Sequence, residues 1–184
     1  MKHKIALLLA NGFEEIEALT PLDVLRRVGC EVVTVGIGGR EIVGAHGITV
    51  IADKSDAEAS ASEFTDVILP GGMPGAKNLD ESDFCDKILA NVSILDGGIA
   101  AICAAPFILG KRGLLSGKRA VCYPGFEGYL DGAVVIDAPV VSDGKTVTAK
   151  GMGCALAFSK EILRIFLSMN EEDVESLSKT IMEF

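Results

Sequence analysis

The sequence predicts an α/β domain: a mainly parallel sheet covered by helices on both faces. Short β-branched apolar runs recur along the chain, helical patterns separate several of them, and the runs are continuously apolar, as strands buried on both faces must be. Residues 1–184 contain no linker, repeat or low-complexity tract, so they are read as one domain with room for a sizeable core.

Lys4–Ala10 reads as the first strand. The opening MKHKIALLLANGFEE sets a basic pair before an apolar run and so imitates a signal peptide. The run is short, however, lacks a small-x-small cleavage site and passes into an acidic segment, which favours a buried strand and a cytoplasmic protein. Glu31–Gly36, Val67–Pro70, Ile99–Cys103 and Arg119–Tyr123 read as further strands.

Between Glu41 and Asp53, EIVGAHGITVIAD breaks into two short strands around Gly44–Gly47. Asp143-Gly144 signals a hairpin of the type I′ kind, and both features are expected as antiparallel additions. Helices are expected over Ser82–Val92 with Ser82 as N-cap, over Ala104–Lys111, over Gly153–Met169, and from Asn170. There Glu171, Glu172 and Asp173 suit the positive end of a helix dipole.

A net charge of −9 argues against nucleic acid and anionic membrane as partners, because phosphates would be repelled. The longest apolar run, Ile99–Gly110, is too short to cross a bilayer and contains Pro106. Cysteines at 30, 85, 103, 122 and 154 form no C-x-x-C pair, and only His3 and His46 add imidazole, so neither a disulfide framework nor a zinc site is supported.

Cys103 stands apart from the other four cysteines, which read as small apolar filler. In GIAAICAAPFILG a buried strand ends at Cys103 and a helix begins at once, with Pro106 in its first turn where a missing N–H is harmless. Such a turn projects its side chain from the carboxyl end of a parallel sheet, where open α/β folds place ligands, and the helix N–H groups are expected to lower the thiol pKa. VILPGGMPG empties a second strand into glycines able to bring amides near a substrate oxygen. On its own that is also ordinary turn punctuation.

At the end of the first strand, NGFEEIEALTP holds three carboxylates. Glu14 and Glu15 read as solvated charges at a helix start. Glu17 shares helical phase with Pro21, Val24 and Val28, and so points inward unless Pro21 restarts the helix. A carboxyl buried there would have a raised pKa and could serve as general acid and base. His46, in a glycine-rich turn, and Tyr123, at a strand end, are weaker pocket candidates, each also readable as an exposed or packing side chain.

LLLANGFEEIEALTPLDVLRRVG, VILPGGMPGAKNL, AAICAAP and TAKGMG occur in that order and nearly span the chain. With them the sequence resembles the ThiJ/PfpI superfamily, and within it the branch of the Parkinsonism-associated protein deglycase and its bacterial relatives. The resemblance implies a flavodoxin-like three-layer sandwich, class I glutamine amidotransferase-like, commonly a homodimer. It further implies a nucleophile at Cys103, a protonated partner carboxyl at Glu17, and an oxyanion pocket from Gly71, Gly72 and Ala104, with no metal or organic cofactor.

The implied chemistry is glutathione-independent conversion of methylglyoxal or glyoxal to hydroxy acids, or deglycation, on a small aldehyde or ketoaldehyde substrate. The alternative is a redox-sensing stress protein whose Cys103 oxidises to sulfinate, or a chaperone-like binding protein. Three departures bear on this. Ala104 replaces the histidine of protease-like members, which argues against a peptidase; Tyr123 stands where the deglycase branch often has a histidine. His46 takes the place of an arginine in some relatives.

Overall fold

The computed structural model describes residues 3–183. The elements in order are β1 (Lys4–Leu9), α1 (Glu15–Arg27), β2 (Glu31–Gly36), β3 (Glu41–Val43), β4 (Thr49–Ile51), β5 (Lys54–Ser55) and β6 (Asp66–Leu69). They continue as α2 (Gly75–Asp80), α3 (Asp83–Ile94), β7 (Ile99–Ile102), α4 (Pro106–Lys111), β8 (Arg119–Ala120), β9 (Val134–Val135), β10 (Val140–Asp143), β11 (Thr146–Ala149), α5 (Ala155–Leu167) and α6 (Glu171–Thr180).

The central sheet has the order β10-β11-β7-β6-β1-β2-β5. Every neighbouring pair is parallel except β10 with β11 at one edge. Alternation along β1 divides the core: Ala6, Leu8 and Ala10 pack with α2, α3 and α4, whereas Ile5, Leu7 and Leu9 pack with α1, α5 and α6. The result is the expected three-layer α/β sandwich. Each such fully buried leucine or isoleucine contributes about 1.5–3 kcal/mol of transfer free energy.

Local signals set several boundaries. Ser82 caps α3 by accepting from the Phe84 amide at 3.2 Å, and Asn170 caps α6 by accepting from Asp173 at 2.9 Å. β3 and β4 form the expected antiparallel pair. The β10–β11 hairpin also forms, but its central residues are Gly144 and Lys145, of which only Gly144 has positive φ, +57°. That is the pattern of a type II′ turn, not type I′.

Two expectations need larger correction. Only Arg119–Ala120 of Arg119–Tyr123 is a strand, and it pairs with β9 outside the central sheet. The place beside β7 is taken by β11, whose Thr148 hydroxyl accepts from the Val121 amide at 3.0 Å. The helix after Cys103 starts two residues later than expected, at Pro106. Among the described residues no helix is long and apolar enough to cross a membrane.

Candidate active site

At the carboxyl end of β7 the chain turns on Cys103, whose φ of +64° lies in the left-handed region that a non-glycine residue seldom occupies. Both backbone groups of this residue are tied down. Its N–H donates to the Ala149 carbonyl at 2.9 Å, and its carbonyl accepts from the Tyr123 amide at 2.7 Å. Sheet and neighbouring loop thus hold a strained turn that presents a half-buried thiol.

Across from it, α1 brings Glu17, which is 1% exposed on the inward face shared with Pro21 and Val24. α1 runs through Pro21 without restarting, so the inward phase holds. Glu17 Oε2 accepts from the Gly71 amide at 3.0 Å, and its carboxylate also accepts from the Cys103 thiol. The glycine at 71 is required by space: a Cβ there would come within 2.5 Å of Glu17 Oε2 and 2.7 Å of Cys103 Cβ. The Gly71 amide is thus engaged by the Glu17 carboxyl.

The amides of Gly72 and Ala104 reach the Cys103 sulfur. Gly72 has φ +85°, and a Cβ on it would collide with the Glu14 amide. The LPGGMPG loop is fastened to the loop after β1, with Glu14 N–H donating to Gly71 O at 3.0 Å and Gly75 N–H to Gly12 O at 3.1 Å.

Burial pushes Glu17 up to about 7, against the opposing pull of its bonds from Cys103 and Gly71, and the nearby Glu14 charge adds to the rise. Burial and then the Glu17 carboxylate push the Cys103 thiol up to about 12. The expected lowering by helix N–H groups does not prevail. The amides of Ala104 and Gly72 do favour thiolate, but burial and the facing carboxylate outweigh them. Facing each other and both raised by burial, the two groups titrate as a coupled pair.

Glu15, expected as a solvated charge, is 4% exposed. Its Oε1 accepts from the His46 amide at 2.8 Å and its Oε2 pairs with His46 Nδ1 at 3.0 Å. Burial works the other way, yet these bonds and one from the Ile48 amide hold its carboxyl below the usual range. Gly44, in the turn between β3 and β4, lies against this carboxylate, with no space for a Cβ. His46 thus docks that turn on α1; its ring is bonded to the Glu14 and Glu15 carboxylates. Among the described residues, Glu14, Glu15 and His46 are the group whose ligand atoms, all within 4.8 Å of one another, could hold a metal. Tyr123 meets Cys103 through its backbone amide; its side chain is 51% exposed and lies over Gly151.

A parallel α/β sheet that lifts a cysteine on a left-handed strand-to-helix turn, against a buried carboxyl and two amides, defines the class as α/β proteins with a cysteine at a strand-to-helix elbow. Within that class the chain belongs to the DJ-1/PfpI family, whose pattern residues 3–165 match. It is 35% identical to protein dj-1beta of Drosophila melanogaster over 185 aligned positions, covering 99% of this chain and 98% of that one. It is 32% identical to a deglycase of Pyrococcus abyssi over 165 positions, 88% of this chain and 98% of that one. Among solved structures, a cysteine-to-alanine mutant of a DJ-1 superfamily protein from Salmonella typhimurium superposes with a TM-score of 0.91 at 34% identity, covering 99% of this chain and 98% of that chain. A DJ-1-type function follows at that general level.

Proposed function

We propose that the chain is a cysteine-dependent enzyme acting on small reactive carbonyls, converting methylglyoxal-type ketoaldehydes to hydroxy acids. One observation carries the reading: a carboxyl that is 1% exposed and bonded to the Gly71 amide faces the Cys103 thiol on its left-handed turn, a thiol that two amides also reach. The kinship with a protein named a deglycase agrees with it.

Glu17 takes the Cys103 proton as the sulfur adds to the aldehyde carbon and returns it to the new oxygen, which the Gly72 and Ala104 amides meet, so that a hemithioacetal forms and Glu17 is again a carboxylate. Glu17 then carries the proton of that carbon to the adjacent ketone carbon through an enediol, while the hydroxyl proton passes from the first oxygen to the former ketone oxygen, leaving a hydroxyacyl thioester. Water cleaves the thioester, and the net change is addition of one water to methylglyoxal to give lactate. In this scheme Ala104 supplies an amide where an imidazole base would serve a peptidase, and Glu17 alone moves protons.

Lactate formation from methylglyoxal by the purified chain tests the proposal. Cys103→Ala and Glu17→Gln are each expected to lose at least about 100-fold in kcat/KM with unchanged circular dichroism; undiminished turnover in both variants overturns it. We also propose a homodimer joined along α1 and β4, where Ile16, Ile48 and Ile51 are 46%, 53% and 62% exposed. Sedimentation checks this: a dimer is expected for the native chain and a monomer for Ile48→Glu, and a native monomer contradicts it.

A further inference from the structure

A groove of about 430 Å³ lies between α2, α4 and the turn at residues 125–129. The chain has eight Phe, two Tyr and no Trp, and three of those rings meet at this groove. Phe107, Phe126 and Tyr129 stand with centroids 6.0–6.2 Å apart and tilted or edge-on planes, a packed aromatic wall. Yet Tyr129 is 54% exposed and Met73, which also lines the groove, is 51% exposed. Leaving such apolar surface in water is costly, and its concentration in a groove of ligand size marks a binding site.

Every segment lining the groove leaves directly from the site around Cys103. Met73 follows Gly72, whose amide reaches the sulfur. Phe107 lies in the first turn of α4, its amide donating to the Ala104 carbonyl at 3.0 Å. Phe126 N–H donates at 3.1 Å to the carbonyl of Tyr123, the residue whose own amide holds the Cys103 carbonyl.

The charges at the rim identify the occupant. Lys111 is paired with Asp80, which also takes Arg112 Nη1 at 2.6 Å, and Lys77 faces Glu81 at 3.8 Å. Each rim charge has its counterion, and Lys111 Nζ also stands 5.5 Å over the buried Phe107 ring, so no net charge recruits a phosphate or carboxylate, whereas a neutral flat group gains the Phe126 and Tyr129 rings and a thioether. The fit is also close: Gly110 has no space for a Cβ because the Tyr129 carbonyl lies against it, fixing the aromatic turn on α4.

We propose that this groove is a specificity subsite that receives an uncharged aromatic substituent on the carbonyl substrate, making aryl ketoaldehydes better substrates than methylglyoxal. The assignment deepens the proposed carbonyl chemistry and rests on it for turnover. Phe126 and Tyr129 are specificity-determining residues.

The test compares kcat/KM for phenylglyoxal, read as mandelate, with that for methylglyoxal, read as lactate. The native chain is expected to favour phenylglyoxal by roughly tenfold or more, the range that filling an apolar pocket supplies. Phe126→Ala and Tyr129→Ser are each expected to bring the ratio down severalfold; Tyr129, being half exposed, disturbs folding least. A native ratio near one, or a ratio unmoved in both variants, overturns the subsite. Failure of the native chain to turn over either compound defeats the carbonyl reading, and the groove is then judged separately by alkylation of Cys103. Mass spectrometry should find N-phenyl iodoacetamide labelling it faster than iodoacetamide, with the advantage reduced in Tyr129→Ser. Equal rates would reject the groove as an aromatic subsite.

Discussion

The two ends of the central sheet each bury a carboxylate to the same degree, Asp66 at the amino end and Glu17 at the carboxyl end, both 1% exposed. Their partners differ. Asp66 Oδ1 accepts from the Gly98 amide at 2.7 Å, while Oδ2 accepts from the Thr65 hydroxyl at 2.7 Å and pairs with His3 Nδ1 at 2.8 Å. Glu17 has one amide, from Gly71, and one thiol, itself ionisable. Equal burial therefore produces an anchor where an amide and a hydroxyl hold the carboxylate at the sheet's amino end and, in the proposed function, a proton carrier where the carboxyl faces a thiol.

Substitution at the two ends should separate these roles. The largest effect is expected from Cys103→Ala, with methylglyoxal kcat/KM reduced by about 100-fold or more, whereas Asp66→Ala should retain turnover wherever the chain remains folded. On stability the order reverses. Asp66→Ala strands the Gly98 amide in the interior and removes a partner of the Thr65 hydroxyl, and is expected to cost about 2–4 kcal/mol in urea unfolding. Loss of turnover at fixed stability in Asp66→Ala would break the contrast.

Glu17→Gln should instead stabilise the fold at alkaline pH. The Glu17 carboxyl titrates at about 7 in the native chain against an ordinary 4.5, so the native state binds more protons than the unfolded state between those values. The stability tied to that proton is complete below about 4.5 and is lost as pH rises through about 7. Relative to the native chain, Glu17→Gln should thus be equal near pH 4 and gain on the order of 3 kcal/mol by pH 8. A gain independent of pH would show that the carboxyl is not the source.

Much of this architecture is legible in the sequence because its signals are local. The strand runs, the caps Ser82 and Asn170, and the elbow of AAICAAP all depend on residues within a turn or two, and the phase linking Glu17 to Val24 needs only helical geometry. What escaped depends on distant partners. Glu15 has the local appearance of a solvated helix-start charge, and only the β3–β4 turn, with its amides, His46 and Gly44, buries it. Arg119–Tyr123 has strand composition, yet β11 occupies the place beside β7. The Cys103 thiol looked lowered from its own turn; the facing Glu17 and burial raise it, and neither lies in its flanking residues.

Gly71 gives the same lesson at closer range. In LPGGMPG both glycines suit an oxyanion pocket, and the distinction between them comes from α1, which takes the Gly71 amide and leaves that of Gly72 to the sulfur.

The central claim is that Cys103 and Glu17 titrate as one pair, and the pH dependence of Cys103 alkylation by iodoacetamide tests it most directly. The native chain should show a rate that rises through an inflection near pH 7 and then levels, because beyond it the pair holds a constant share of thiolate. In Glu17→Gln the inflection near 7 should vanish and the rate should keep rising past pH 9, as for an isolated buried thiol. The same inflection near 7 in both proteins would contradict the account.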